Sequence, residues 1–339
     1  MPNCFRSRVR SFWGGFNRIR LAKRFLREYG RFLQDGVYYL LPNLRTYVHE
    51  DAVETCIQAL SYRRWNGFRD WIVKTLGRTR VRNSGTSRDR ELQGSVLYVN
   101  NSYPAVKRVK IFDFAQRNVI VFCLSEEEFQ REIFIHDAVC PFWGAPAIKQ
   151  KDYQAKMFVE ELICEYPRDK IDSGLKDKIY CDLLEKYTRY LEKEKVAGGG
   201  GKKEYLRIMQ HNDLSMANVI CDLEGKVHVI DWEHVGDNVF FYDLMRLVIH
   251  EAQNEHDTWL LRQYFSGEYD QRFLRYFHAA GTVFLPSQRK RYLLEAFDIM
   301  VNRAEQDWQQ EQLRQMKPAF EMLIGECSPE MGSGNPISV

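Results

Sequence analysis

The segment from Arg207 to Val248, RIMQHNDLSMANVICDLEGKVHVIDWEHVGDNVFFYDLMRLV, narrows the possible folds more than any other part of the chain. A strand-like run leads into a polar loop, His211 to Asn218. Val219 to Ile230 then reads as a hairpin turning at Glu224-Gly225, because two β-rich runs flank a turn pair. The hairpin ends at Asp231. A fold that pairs these runs holds Asp213 and Asn218 in one loop and returns Asp231 beside them.

These residue types suit phosphoryl transfer, in which catalysis is positioning plus charge neutralisation. A carboxylate at Asp213 can orient an attacking hydroxyl and accept its proton. Asn218 can offer a neutral oxygen, and Asp231 an anionic one, to a hard cation. The same segment resembles the catalytic core of the aminoglycoside phosphotransferase and choline kinase families. His211-Asn212-Asp213-Leu214-Ser215-Met216-Ala217-Asn218 is similar to their H-x-D-x-x-x-x-N loop, and Ile230-Asp231-Trp232-Glu233 to their I-D-W/F-E metal motif. Tyr242-Asp243-Leu244 is similar to the y-D-L that opens the following helix. The three keep both order and spacing, which is far more specific than any one of them. The resemblance implies that Asp213 is the catalytic base, Asn218 and Asp231 the ligands of Mg²⁺, and ATP the phosphoryl donor. It implies structural support from His211 and Asp243. It also implies an α+β, bilobal, protein-kinase-like fold, with a small β-rich N-lobe and a mainly helical C-lobe.

Upstream, Val96 to Val99, Val106 to Phe114 and Val119 to Leu124 are β-rich runs, the last two joined by Ala115-Gln116-Arg117-Asn118 as in a hairpin. Ser125 is placed to cap a helix from Glu126 to Ala138, whose leading glutamates suit the helix dipole. Lys156 to Ile163 reads as another strand. A kinase of the resembled kind holds phosphates with a third-strand lysine paired to a helix glutamate. The third run has Phe122 and Cys123 there instead. Lys110, on the preceding strand, is the nearest replacement, unless it is an ordinary exposed strand lysine. Glu132 is the candidate helix glutamate, with Glu128 one turn earlier. Gly94 and Asn100-Asn101-Ser102 stand where a phosphate-covering loop is expected. Val159 to Ile163 resembles the hinge that receives adenine through backbone hydrogen bonds, which assigns Glu161 and Ile163 to nucleotide binding.

The resulting division is a basic helical extension and linker over 1–90, an N-lobe over 91–163, a helical C-lobe with the catalytic loop over 164–325, and a disordered tail over 326–339. The extension carries nine Arg or Lys and one acid, Glu28, in its first 32 residues. Phe16, Ile19, Leu26, Tyr29 and Leu33 recur at helical spacing, so the helix is amphipathic. It can lie on an anionic membrane through residues 1–33, or pack on the body of the protein with solvated arginines.

A net charge of +3 is too small to point to a nucleic-acid partner, and no nucleic acid is expected. The eight cysteines show no CxxC pair, which argues against a zinc site. No apolar run follows the basic start as in a secretory signal, so the chain reads as cytoplasmic, or peripheral at the inner membrane surface. The expected function is Mg²⁺-dependent transfer of the ATP γ-phosphate to a hydroxyl of a small molecule: a sugar, an amino alcohol or an envelope saccharide. The alternative is a pseudokinase that binds nucleotide or a partner without turnover. The acceptor is expected over Asp213. Residues 251–325 hold eleven acidic and nine basic side chains, so no strongly acidic pocket is evident. Trp259, Tyr264, Tyr269, Tyr276 and Trp308 are read as core or as a platform for the acceptor.

Overall fold

A computed structural model describes residues 17–60, 62–82, 93–102, 105–194, 205–304 and 306–328. The polar stretch 83–92, the glycine run 198–201 and the tail from 329 lie outside the described residues. The chain is α+β and divides into two compact units, one of Met1–Cys140 with Pro146–Asp169, the other of Pro141–Ala145 with Lys170–Val339.

The first unit is built on an eight-stranded antiparallel sheet. Residues 17–28 form helix α1. Then come β1 (Gly36–Leu40), β2 (Thr46–His49), α2 (Val53–Ala59), α3 (Gly67–Gly77), β3 (Thr79–Val81), β4 (Val96–Ser102), β5 (Ala105–Asp113) and β6 (Asn118–Cys123). Helix α4 (Glu126–Trp143) precedes β7 (Ile148–Asp152) and β8 (Met157–Glu161). The strand order is β3-β1-β2-β4-β5-β6-β8-β7. Every residue of β6 is buried, because both faces of the sheet are covered. Ile120 and Phe122 join Ile19, Ala22, Phe25 and Leu26 of α1 on one face, while Val119, Val121 and Cys123 meet Phe129 and Ile133 of α4 on the other. Alternation along the strand decides which residue sees which helix.

Two expectations change here. Residues before 91 do not form a separate helical extension. They supply β1, β2 and β3 to the sheet, with Thr46 paired to Tyr98 in β4. The stretch begun at Thr79 is a short strand up to Val81 and not wholly linker. The apolar stripe of α1 is core: Leu26 is fully buried and Phe25 is 4% exposed. Its solvent face keeps Arg18, Arg20, Arg24 and Arg27 exposed.

The second unit is mainly helical. Helix α5 (Ser173–Glu194) leads to β9 (Arg207–Gln210), β10 (Val219–Cys221), β11 (Val227–Val229) and β12 (Gly236–Val239), followed by helices α6 (Tyr242–Asn254), α7 (Trp259–Ser266), α8 (Asp270–Ala279), α9 (Arg289–Arg303) and α10 (Asp307–Cys327). Two antiparallel pairs, β10 with β11 and β9 with β12, frame the polar loop. Gly225 sits at the hairpin turn with φ 80°, a conformation that suits glycine. Tyr264, Tyr269 and Tyr276 are buried among the helices, so they are core.

Candidate functional site

β9 delivers the chain to the polar loop, and β12 holds it there by pairing Gly236 with Gln210. Asn212 takes φ 64°, an uncommon left-handed conformation for a residue with a side chain. Its own amide secures the turn: Nδ2 donates to Gly236 O at 2.9 Å and His234 O at 3.1 Å, and Oδ1 accepts from Asn238 at 2.8 Å.

Asp243, in the first turn of α6, is fully buried beneath the loop. Its carboxylate accepts the His211 N–H at 2.5 Å, the Asn212 N–H at 2.9 Å and the Tyr187 hydroxyl at 2.5 Å. Burial raises the Asp243 pKa, while His211, Tyr187 and the two amides act to lower it. The His211 ring completes the brace. Nε2 donates to Ile230 O at 2.8 Å, and Nδ1 accepts the Asp213 N–H at 3.2 Å, which places the proton on Nε2. One imidazole therefore ties the polar loop to the end of the hairpin.

Asp213 and Asn218 face each other across this loop. Asn218 Nδ2 donates to Asp213 O at 2.8 Å and to its Oδ2 at 3.3 Å. Asn218 Oδ1 has no hydrogen bond among the described residues. The Ile230 N–H donates to Asn218 O at 3.0 Å, so the hairpin sets the following residue, Asp231, alongside. Asp231 is left-handed at φ 62°, and strain of this kind at a polar loop is a functional pointer. Hard oxygens from one amide and one carboxylate are a donor set that suits Mg²⁺, which takes few protein ligands and completes its shell with water and phosphate. Among the described residues no three His, Cys, Asp or Glu side chains cluster as a closed metal cage.

A cavity of about 490 Å³ opens beside Asp213 and His234, walled by the end of α6, the end of α9 and the start of α10. The Asp213 side chain is 40% exposed, so a molecule in the cavity can reach it. Arg246, one turn beyond Asp243 on α6, pairs with Asp213 Oδ1 and donates to Leu214 O at 2.5 Å. Sequence reading passed over Arg246, although an i, i+3 spacing from Asp243 places both on one helix face. Trp308, a residue 59% exposed, lines the cavity, unlike the core tyrosines.

The candidate nucleotide residues lie in the first unit. Lys110, on β5, forms an ion pair with Glu160 at 3.7 Å. Glu132 is buried, and its close partner is Arg108, Nη1 to Oε2 at 2.8 Å, with Glu128 3.6 Å from Arg108 Nε. Burial raises the Glu132 pKa, against Arg108 and Lys110, which lower it. Arg108 is directly opposite Cys123, so the buried cation expected on the third strand is supplied by its neighbour. Alternation from Lys110 to the residue two before it signals this, since both share a strand face. Breaking the pair with Arg108→Ala is expected to cost about 3–5 kcal/mol in denaturant unfolding, because Glu132 is left as an unpaired buried charge. A loss under about 1 kcal/mol would show that water already satisfies Glu132.

At the candidate hinge, the Glu161 N–H is already bonded to Ala147 O at 3.0 Å and the Leu162 N–H to Arg117 O at 3.0 Å. The Ile163 N–H has no hydrogen bond among the described residues. Asn100-Asn101-Ser102 is the end of β4 rather than a loop.

No protein-family model matches the chain, and no curated protein matches it. The structure is similar to the choline kinase LicA from Streptococcus pneumoniae, with TM-score 0.31, 14% identity, and 59% of this chain and 92% of that one covered. A choline/ethanolamine kinase family protein from Mesorhizobium loti gives TM-score 0.37 and 11% identity over 68% and 92%. The aminoglycoside phosphotransferase APH(3'')-Id from Streptomyces rimosus gives 0.35 and 11% over 57% and 89%. These are distant likenesses, and the chemistry of this chain rests on its own residues.

Proposed function

We propose that the chain is a small-molecule kinase that moves the γ-phosphate of ATP to a hydroxyl of a sugar or amino alcohol. The observation that carries this is the joint placement of Asp213, Asn218 and Asp231 by one loop and one hairpin, next to a cavity that reaches Asp213. Asp213 Oδ2 is the proton acceptor, because Oδ1 is held by Arg246 and Oδ2 carries only the long contact from Asn218. The acceptor O–H proton passes to Oδ2, the new O–P bond forms, and the bond to the β,γ-bridging oxygen breaks to leave ADP. Asn218 Oδ1 and Asp231 would hold Mg²⁺, which supplies charge neutralisation on the phosphates. Lys110, Glu132, Glu161 and Ile163 are the proposed nucleotide contacts, with Ile163 offering its N–H. Mg²⁺-dependent ADP release across a panel of sugars and amino alcohols tests the reading. Asp231→Asn should abolish Mg²⁺-dependent ATP binding, and binding equal to wild type would refute the assignment.

One observation favours the pseudokinase alternative. Arg246 pairs with the carboxylate that would have to take the proton. Arg246→Gln separates the two: a fall in turnover means that the pair positions a working base and a rise that it restrains one, whereas ATP binding without ADP release in the presence of any acceptor, in wild type and variant alike, supports the non-catalytic protein.

A peripheral contact with an anionic surface through residues 1–33 rests on the exposed arginines of α1, since its apolar stripe is core. Arg20→Glu with Arg24→Glu should then release the protein from phosphatidylserine vesicles, at roughly 1 kcal/mol per charge. Undiminished binding would remove this contact.

A further inference from the structure

We infer that the cavity beside Asp213 takes an acidic polyhydroxylated acceptor, a sugar bearing a phosphate or a carboxylate, and rejects cationic amines. The inference rests on the kinase reading for which hydroxyl reacts, but its support is the chemistry of the cavity wall. Among the described lining residues Asp213 is the one acid, while Arg246 and Arg303 are both cations. Asp213 is already answered by Arg246, so it has little charge to offer a bound ammonium group. Arg303, exposed in the last turn of α9, makes no hydrogen bond or ion pair among the described residues. A planar guanidinium matches a carboxylate or a phosphate through two parallel N–H bonds.

The rest of the wall suits hydroxyls. Gln253, Asn254 and Gln309 present carboxamides, which both donate and accept without carrying charge. A quaternary ammonium group is held by a cage of several aromatic faces. Here Trp308 is the exposed ring and Tyr242 is 2% exposed, with burial pushing its phenol pKa up to about 12. One indole face serves as a platform for a sugar ring rather than as a cage. Glu305, between two lining positions, lies outside the described residues.

The test is a titration of Trp308 fluorescence in the full chain, with Trp308→Phe subtracted to isolate that indole. The probes are glucose 6-phosphate, glucuronate, glucose, choline and kanamycin. Glucose 6-phosphate or glucuronate should bind about tenfold or more tightly than glucose, the worth of one charged hydrogen-bonded pair. Which of the two binds better tells phosphate from carboxylate. Arg303→Gln should remove that advantage, and Arg303→Lys should restore part of it. Tighter binding of choline or kanamycin, equal binding of glucose, or no response to either acidic probe would overturn the inference. Mg²⁺-dependent ATP binding, measured on the same protein, reports on the kinase reading separately. ATP binding with a cation-selective cavity sinks only this inference, and an anion-selective cavity without ATP binding sinks only the kinase.

Discussion

Asp213→Asn is expected to reduce ADP release by roughly 10²–10⁴, the usual contribution of a positioned general base. Asparagine keeps the shape and still accepts from Asn218, but it cannot take the proton of the acceptor. The side chain is 40% exposed, so the substitution should leave the thermal midpoint near that of wild type. ATP affinity should also hold, because the proton acceptor is not a phosphate contact. The measurement is a coupled ADP assay at saturating acceptor, alongside thermal unfolding and ATP titration. Turnover within about threefold of wild type would remove Asp213 from the chemistry, whatever the state of the fold.

Asp243→Ala should be the most destabilising single change at the site. It strips a fully buried acceptor from three donors: the His211 and Asn212 amides and the Tyr187 hydroxyl. Each buried unsatisfied donor costs about 1–3 kcal/mol, so a total near 4 kcal/mol or more is expected. Native proteins hold only about 5–15 kcal/mol, so this is a large part of the whole. The midpoint should fall by roughly 10 °C in calorimetry. The loop above Asp243 would loosen with it, so the loss of turnover should exceed what the unfolded fraction explains. A midpoint shift below about 2 °C would mean that the donors find water or other partners, and that Asp243 is no keystone. Unlike Asp213→Asn, this variant acts on fold and activity together, and the contrast between the two separates chemistry from support.

The polar loop, the hairpin and the first turn of α6 were legible because their partners are close in sequence. Val219 pairs with Val229 only ten residues away, and Asp243 braces an amide at His211 within the same segment. Turn chemistry at Glu224-Gly225 and alternation on either side were enough to place Asp231 next to Asn218. The hairpin between β5 and β6, and the glutamate-led start of α4, were legible for the same local reason.

The strands before residue 91 were not. β1 to β3 are three to five residues long, and the sheet accepts them through pairings such as Thr46 with Tyr98, about fifty positions apart. Short mixed runs carry too little periodicity to declare a partner that distant. The same holds for α1. Its amphipathic pattern required an apolar surface to cover, but whether that surface was a lipid face or the sheet depended on Phe122 and its neighbours across the core.

The local segments therefore determined the placement of Asp213, Asn218 and Asp231, since one loop and one hairpin within a single stretch of chain bring them together. Only the tertiary structure decided which cation sits against Glu132, that Arg246 grips Asp213, and what lines the cavity beside it. Those outcomes depend on which side chains face one another across separate helices and strands, and burial makes each such charge stable only where a partner arrives from elsewhere in the sequence.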